Sequence, residues 1–279
     1  LKKRIFQILQ HAGPPVSGEY LSRQLGISRV AVWKHIRGMQ AAGYDIQSSP
    51  KGYQMTSFSD TPHSWVFGDR SHQVHHFHEL PSTMEKAVSL ARAGCENFNV
   101  VVADRQTRGR GRLQRSWQSD QGGLYFTMVL RPRMAPWAAP LLNLAASLDL
   151  AETLTTLYAI DAKVKWPNDV LADDQKIAGI LSQMATEADC IHYLCLGIGV
   201  NVNNHPSDVS QPAVSVTRLT GKSGSRAKIL DGFMDRFERR ISEDRLSDVV
   251  QEWKLHTLTL GRRVVIQTTR ETIEGIAVD

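Results

Sequence analysis

Cysteine is scarce in this chain: Cys95, Cys190 and Cys195 are the whole supply in 279 residues. They are odd in number and lack metal-ligand spacing, which argues against a thiolate metal site and fits a reducing cytoplasm. Cys195 alternates within an apolar run and reads as a buried thiol, not a nucleophile. No run reaches the ~18 apolar residues of a membrane span. The start, Leu1-Lys2-Lys3-Arg4-Ile5, has no apolar stretch of the signal-peptide kind, so no membrane partner is expected. An initiator Met is also missing, and the chain stops at Asp279 inside a strand-like pattern, as a partial chain would. Gly197-Ile198-Gly199 is too short for a dinucleotide fingerprint, which argues against a Rossmann cofactor.

The length predicts at least two domains, and the net charge of +5 is unevenly shared between them. Residues 1–57 hold eight basic side chains against Glu19 and Asp45, or +6, leaving −1 for the remainder. A small basic module on a near-neutral body is the footprint of a nucleic-acid-binding unit. Ile5, Phe6, Ile8 and Leu9 predict a first helix ending near Gly13-Pro14-Pro15. Ser17 caps a second helix, Gly26 turns the chain, and Ser28 caps a third with Val32, Ile36 and Met39 at helical spacing. This is a helix-turn-helix with Ser28–Ala42 as the reading helix, and Tyr44–Met55 alternates as a hairpin wing turning at Ser49-Pro50-Lys51-Gly52. The candidate DNA contacts are Ser28, Arg29, Trp33, Lys34, Arg37 and Lys51. A basic three-helix bundle that binds protein is the competing reading of the same segment.

Residues 58–73 read as a linker, although Trp65, Val66 and Phe67 need a docking place. Beyond it, irregular alternation predicts a mixed sheet with packed helices, an α+β body. Strands are expected at 75–77, 99–103, 124–131, 163–166, 170–172, 176–184 and 192–202. Helices are expected at 83–93, 137–157, 226–243 and 246–256.

Chemistry concentrates in four places. Residues 104–117 set Arg108, Arg110, Arg112 and Arg115 around Gly109 and Gly111, just after an apolar run. Guanidinium forks match carboxylate and phosphate oxygens, and glycine permits positive φ and close approach of backbone to a ligand. Pro81-Ser82-Thr83 opens a helix where either hydroxyl can cap it or meet a ligand. In Lys165-Trp166-Pro167-Asn168-Asp169 the proline sets a turn, and the Asn–Asp pair suits Mg²⁺ or is an ordinary turn. Lys176 then enters an apolar strand, where a charge is costly without an anion or acid beside it unless it faces solvent. Finally, Gly197-Ile198-Gly199-Val200-Asn201 leaves room for a planar group, with Asn201 as donor and acceptor.

In this order the motifs resemble bifunctional biotin protein ligases that double as biotin-operon repressors, over nearly the whole chain. The resemblance implies a winged helix-turn-helix (1–57), a linker (58–73), a catalytic domain (74–259) related to class II aminoacyl-tRNA synthetases, and the first strands of an SH3-like domain (260–279). It implies that biotin and ATP give biotinoyl-5′-adenylate, with Mg²⁺, and that a lysine of the biotin carboxyl carrier protein of acetyl-CoA carboxylase then takes the biotin. It also implies an adenylate-bound homodimer on operator DNA. Arg112, Lys176, Lys165 and Asp169 carry the catalytic assignment. Ser82, Thr83, Met84, Gln106, Arg110, Gly111, Arg112 and Lys176 are the implied biotin contacts. Arg112, Arg115, Trp117, Lys165, Asn168, Lys176 and Asn201 belong to ATP or the adenylate, and Asn168 and Asp169 to Mg²⁺. One departure stands out: Gln114 occupies the place of a third glycine, and a positive φ there costs roughly 1 kcal/mol.

Three rivals share some of these features. A lipoate ligase has the fold and adenylation logic, but its lysine motif reads Lys-x-Asn-Asp, without Trp166-Pro167 between. A DNA-binding biotin sensor without catalysis has no use for Asn168, Asp169 and Lys176. An RNA-binding Arg-Gly tail is not expected as a single occurrence between strands.

Overall fold

Two serines start the helices on either side of the Gly26 turn. Ser17 Oγ accepts from the Tyr20 backbone N–H at 3.0 Å, opening α2 (Gly18–Leu25). Ser28 Oγ accepts from Ala31 N–H at 3.2 Å, opening α3 (Arg29–Gln40). Gly26 ends α2 in the left-handed region at φ +65°, where glycine has no Cβ to clash. With α1 (Lys2–His11) they bury Ile5, Phe6, Leu9, Leu21, Val32, Ile36 and Met39 in one core. The wing follows as β1 (Asp45–Ser49) and β2 (Gly52–Ser57), paired antiparallel with Ser49 opposite Gly52. Val16 adds a bridge to Tyr53, with N–H to carbonyl bonds of 2.8 Å in both directions. Gly52 permits this: its φ is +130°, and a Cβ there would lie 2.1 Å from the Val16 carbonyl oxygen.

The structure, a computed structural model, describes residues 1–57, 59–187, 189–207, 212–267 and 271–278. It divides into two units, Leu1–His76 and Phe77–Asp279. Residue 58 of the expected linker, and 268–270 and 279 of the expected C-terminal domain, lie outside the described residues. The rest of the linker stretch is folded within the first unit. Short 3-10 turns at Ser64–Val66 and Gly68–His72 bracket a buried Phe67, His63 stacks on Trp65 at 4.2 Å, and the Lys2 ammonium lies 4.5 Å over Trp65. Polar composition suggested a linker; three apolar side chains supply enough burial to order it.

One sheet runs in the order β3-β4-β5-β9-β8-β7-β6, built from β3 (Val74–Leu80), whose first three residues belong to the first unit, and from β4 (Asn99–Gln106), β5 (Leu124–Leu130), β6 (Lys163–Lys165), β7 (Asp169–Ala172), β8 (Gln175–Glu187) and β9 (Cys190–Val200) of the second. The pairings from β4 through β6 are antiparallel. Strands β3 and β4 are joined by α4 (Thr83–Arg92), and Thr107 N–H donates to the Leu80 carbonyl at 3.0 Å, so both strands end on the same side. The sheet is therefore mixed, as expected.

Every residue of β5 is buried because both faces are covered. Helix α4 packs over Val101, Val129 and Cys195. On the other face Phe126 meets Phe233 of α7 (Arg226–Ser242) at 5.4 Å, beside α5 (Pro140–Tyr158) and α8 (Val249–His256). Arg240 of α7 donates to both carboxylate oxygens of the buried Asp149 on α5 and to Glu252 of α8, tying the three helices together. The helix expected at 137–157 begins instead at Pro140, whose missing N–H suits a first turn, after a 3-10 turn at Pro136–Ala138. A five-residue helix, α6 (Val216–Thr220), carries no periodic signal long enough to be seen in sequence. Strands β10 (Arg263–Gln267) and β11 (Thr272–Ile276) close as an antiparallel hairpin.

Candidate functional site

At the end of β4 the Arg-Gly loop folds back on itself as a narrow hairpin. Arg110 bridges Ser116, Gly111 N–H donates to the Arg115 carbonyl at 2.7 Å, and Trp117 N–H donates to the Gly109 carbonyl at 2.9 Å. Gly109 is there for close approach: a Cβ would stand 2.4 Å from Ser119 Oγ and from the Trp117 carbonyl. Neither Gly109 nor Gly111 has positive φ; the left-handed residues are Leu113 at 53° and Gln114 at 61°. Gln114 thus carries the strain expected of a residue standing where glycine is usual. Arg108 and Arg110 reach Glu85 at 3.5 and 3.8 Å, an acid of α4 that sequence reasoning did not single out.

Gln106 links this loop to the start of α4. Its Oε1 accepts from the Thr83 backbone N–H at 2.8 Å and from Thr83 Oγ1 at 3.0 Å, and its Nε2 donates to Ser119 Oγ at 2.9 Å. Thr127 of β5 donates to Thr83 Oγ1 at 2.9 Å. Ser82 occupies the N-cap position of α4, yet its side chain makes no cap bond. That hydroxyl lines a cleft of about 1640 Å³.

Across the cleft, the Lys165–Asp169 turn carries a cis Trp166–Pro167 peptide and a firmly held Asn168. Asn168 Nδ2 donates to the Ile180 carbonyl at 2.7 Å, and its Oδ1 accepts from Arg112 Nη1 at 3.3 Å. Lys176 is largely buried and has an acid beside it, with Nζ 2.7 Å from Asp169 Oδ1. Lys165 is exposed and faces the same space. The structure thus gathers Arg112, Lys165, Asn168, Asp169 and Lys176 around one volume, with Thr83 and Gln106 on its other wall.

The floor is a glycine stripe filled by the chain itself. A Cβ at Gly199 would lie 2.4 Å from Trp117 Nε1, and one at Gly179 would lie 2.9 Å from the same indole. Met84 Cε stands in the corresponding place over Gly197, where an added Cβ would lie 2.8 Å from it. Lys176 Nζ is 5.2 Å from the Trp117 ring centroid, a cation–π distance. A planar group does lie on Gly199, as the spacing suggested, and it is an indole from the Arg-Gly loop.

In the first unit, Arg29, Val30, Trp33, Lys34 and Arg37 occupy the exposed side of α3, opposite its buried Val32, Ile36 and Met39. Ser28 is the helix cap, and Lys51 is exposed at the wing tip. The expected contact set therefore shares one unit with a wing and a reading helix.

Residues 77–201 match the biotin/lipoate A/B protein ligase family, and residues 2–54 match a helix-turn-helix domain. The chain is 31% identical to the bifunctional ligase/repressor BirA of Bacillus subtilis, over 99% of this chain and 90% of that protein. It belongs to the bifunctional ligase/repressor family. Another relative, the biotin–[acetyl-CoA-carboxylase] ligase of Mycobacterium tuberculosis, is 31% identical over 71% of this chain and 76% of its own length. The biotin protein ligase of Aquifex aeolicus, solved with biotin and ATP, superposes with a TM-score of 0.63 at 30% identity, covering 73% of this chain and 85% of that one.

In this ligase/repressor chain Asn201 lines the cleft beside Lys176. Asn201 is buried and its amide is engaged, accepting from Asn204 at 3.0 Å and donating to the Lys176 carbonyl at 3.4 Å. It braces the strand that carries Lys176. Asn168 Oδ1 faces Arg112 and Asp169 Oδ1 faces Lys176, and no group of three His, Cys, Asp or Glu side chains that could hold a metal ion occurs among the described residues. Sequence reasoning missed Ser119 and Thr127, which complete the Gln106–Thr83 network; a lone hydroxyl in a loop or a strand carries no pattern of its own.

Proposed function

We propose that this chain joins biotin to AMP in the cleft of its second unit and passes the biotin to a lysine of a biotin carboxyl carrier domain. The supporting observation is the convergence of Arg112, Lys165 and Lys176 on one side of a cleft whose other wall is the Thr83–Gln106 network. A biotin carboxylate oxygen attacks the α-phosphorus of ATP, the bond to the bridging oxygen breaks, and pyrophosphate leaves. Both reactants are anions, and their repulsion must be offset where they meet. Arg110, Arg112, Arg115, Lys165 and Lys176 outnumber the carboxylates among the described residues lining the cleft, Glu85, Asp169 and Asp174. Each charge-assisted hydrogen bond to a phosphate or carboxylate oxygen contributes about 1.5–3 kcal/mol.

Lys176 sits where carboxylate and α-phosphate join, held by Asp169 and by the Asn201 brace. Ser82, Thr83, Met84, Gln106 and Gly111 line the biotin end, and Arg112, Arg115, Trp117, Lys165 and Asn168 the nucleotide end. In the second step the carrier lysine amine attacks the acyl carbon, the acyl–phosphate oxygen bond breaks, and AMP departs. Positioning and electrostatics suffice, and no protein nucleophile takes part. Cys195 has no exposed surface, and burial pushes its thiol up to about 12.

The first unit binds operator DNA, and the adenylate-bound chain does so as a homodimer whose two reading helices meet related half-sites. Three free cysteines fit a cytoplasmic setting, and no helix of the described residues is long and apolar enough to cross a membrane. Biotin-dependent exchange of pyrophosphate into ATP tests the first step. Exchange above background supports adenylation; tight adenylate binding without exchange makes the chain a sensor.

A further inference from the structure

The outward face of α3 is not uniformly polar. Val30 is 63% exposed and Trp33 51% exposed, one helical turn apart, between the exposed Arg29, Lys34 and Arg37. The core of this unit is complete without them, since α3 already buries Val32, Ile36 and Met39 on its other side. Trp33 is ordered from outside the core: the Arg37 guanidinium lies 5.9 Å over its ring. Two apolar side chains at i and i+3 in the first half of a capped reading helix, in a cationic surround, require an anionic partner with an apolar group at the contact.

Duplex DNA meets that requirement at one base. Of the groups that base edges present in the major groove, the thymine 5-methyl is the one sizeable apolar group, since the cytosine C5–H is far smaller. Resting on the DNA-binding reading of this unit, we propose that Val30 and Trp33 are specificity-determining residues that read thymine methyl groups, while Arg29, Lys34, Arg37 and the wing Lys51 hold the phosphates. The spacing agrees: three residues advance the helix by ~4.5 Å, between one and two base steps of ~3.4 Å. The two methyls therefore belong to thymines at neighbouring or next-neighbouring positions of each half-site. Covering one methyl group changes affinity by about three- to fivefold.

The test starts from a random-sequence duplex pool, enriched on the full-length chain with biotin and ATP. Each thymine of the enriched duplex is then replaced by uracil, which removes the methyl and keeps the hydrogen-bonding edge. The expected result is a three- to fivefold loss at one or two thymines per half-site and no change elsewhere. In Val30→Thr and Trp33→Ala variants the corresponding uracil penalty falls below about 1.5-fold; both positions face solvent, and unchanged thermal melting confirms that the variants fold. Uracil tolerated within 1.5-fold at every thymine overturns the proposal, as do penalties that persist in both variants. A pool from which no duplex is enriched overturns the DNA-binding reading itself.

Discussion

A lysine entering an apolar strand needs an acid beside it, and for Lys176 that acid is Asp169, seven residues earlier and across a β-turn. The need was visible in the sequence, but the partner was not: Asp169 was expected at Mg²⁺, and its place beside Lys176 is a finding of the structure. Arg112, which reaches Asn168, is the residue proposed to stand between the two reactant anions. We expect Arg112→Ala to abolish pyrophosphate release in single-turnover assays while leaving the melting temperature unchanged, because the side chain is exposed. Release within tenfold of the parent chain contradicts that role. Gly199 makes a different demand. A valine there needs the space now held by the Trp117 indole, so Gly199→Val is expected to expel the indole, shift tryptophan emission to longer wavelength and depress adenylation. Unchanged emission contradicts this placement of Trp117. Residues acting through others were illegible. Asn201 drew notice for its versatile amide, but its bonds to Asn204 and to the Lys176 carbonyl had no sequence signal.

At the scale of elements, legibility followed the strength of the local signal. Ser17, Gly26 and Ser28 each have a single physical use at a helix end, and α2 begins and ends, and α3 begins, as those residues require. Strand β5 was readable as a continuous apolar run because both its faces are covered. The stretch 59–73 was not, since its polar composition hides the few aromatics that fold it. Helix α6 is too short for periodicity, and its ends are set by a Ser215 cap and a left-handed Gly221. The wing supplies a sharp prediction. Any side chain at Gly52 collides with the Val16 carbonyl and sits at φ +130°, so Gly52→Ala is expected to detach Val16 from the wing. The expected cost is about 1–3 kcal/mol in the first unit's unfolding, with weaker DNA binding. Melting and DNA affinity both equal to the parent's contradict this account of the wing.

For the whole molecule, the charge asymmetry between residues 1–57 and the rest already separated a DNA-binding unit from a near-neutral catalytic one. What the sequence did not reveal is that the division lies after His76. If the adenylate favours the DNA-binding dimer, linkage requires operator DNA to tighten adenylate binding by the same factor, and calorimetric titrations in both orders should agree. Titration curves that ignore biotin and ATP exclude a corepressor role. The central claim is that one cleft both makes the adenylate and hands biotin on, and labelling a carrier-domain lysine with the purified chain tests it most directly. Incorporation that needs both biotin and ATP, and is lost in Arg112→Ala, is the predicted result. No labelling from a chain that binds the adenylate tightly contradicts it.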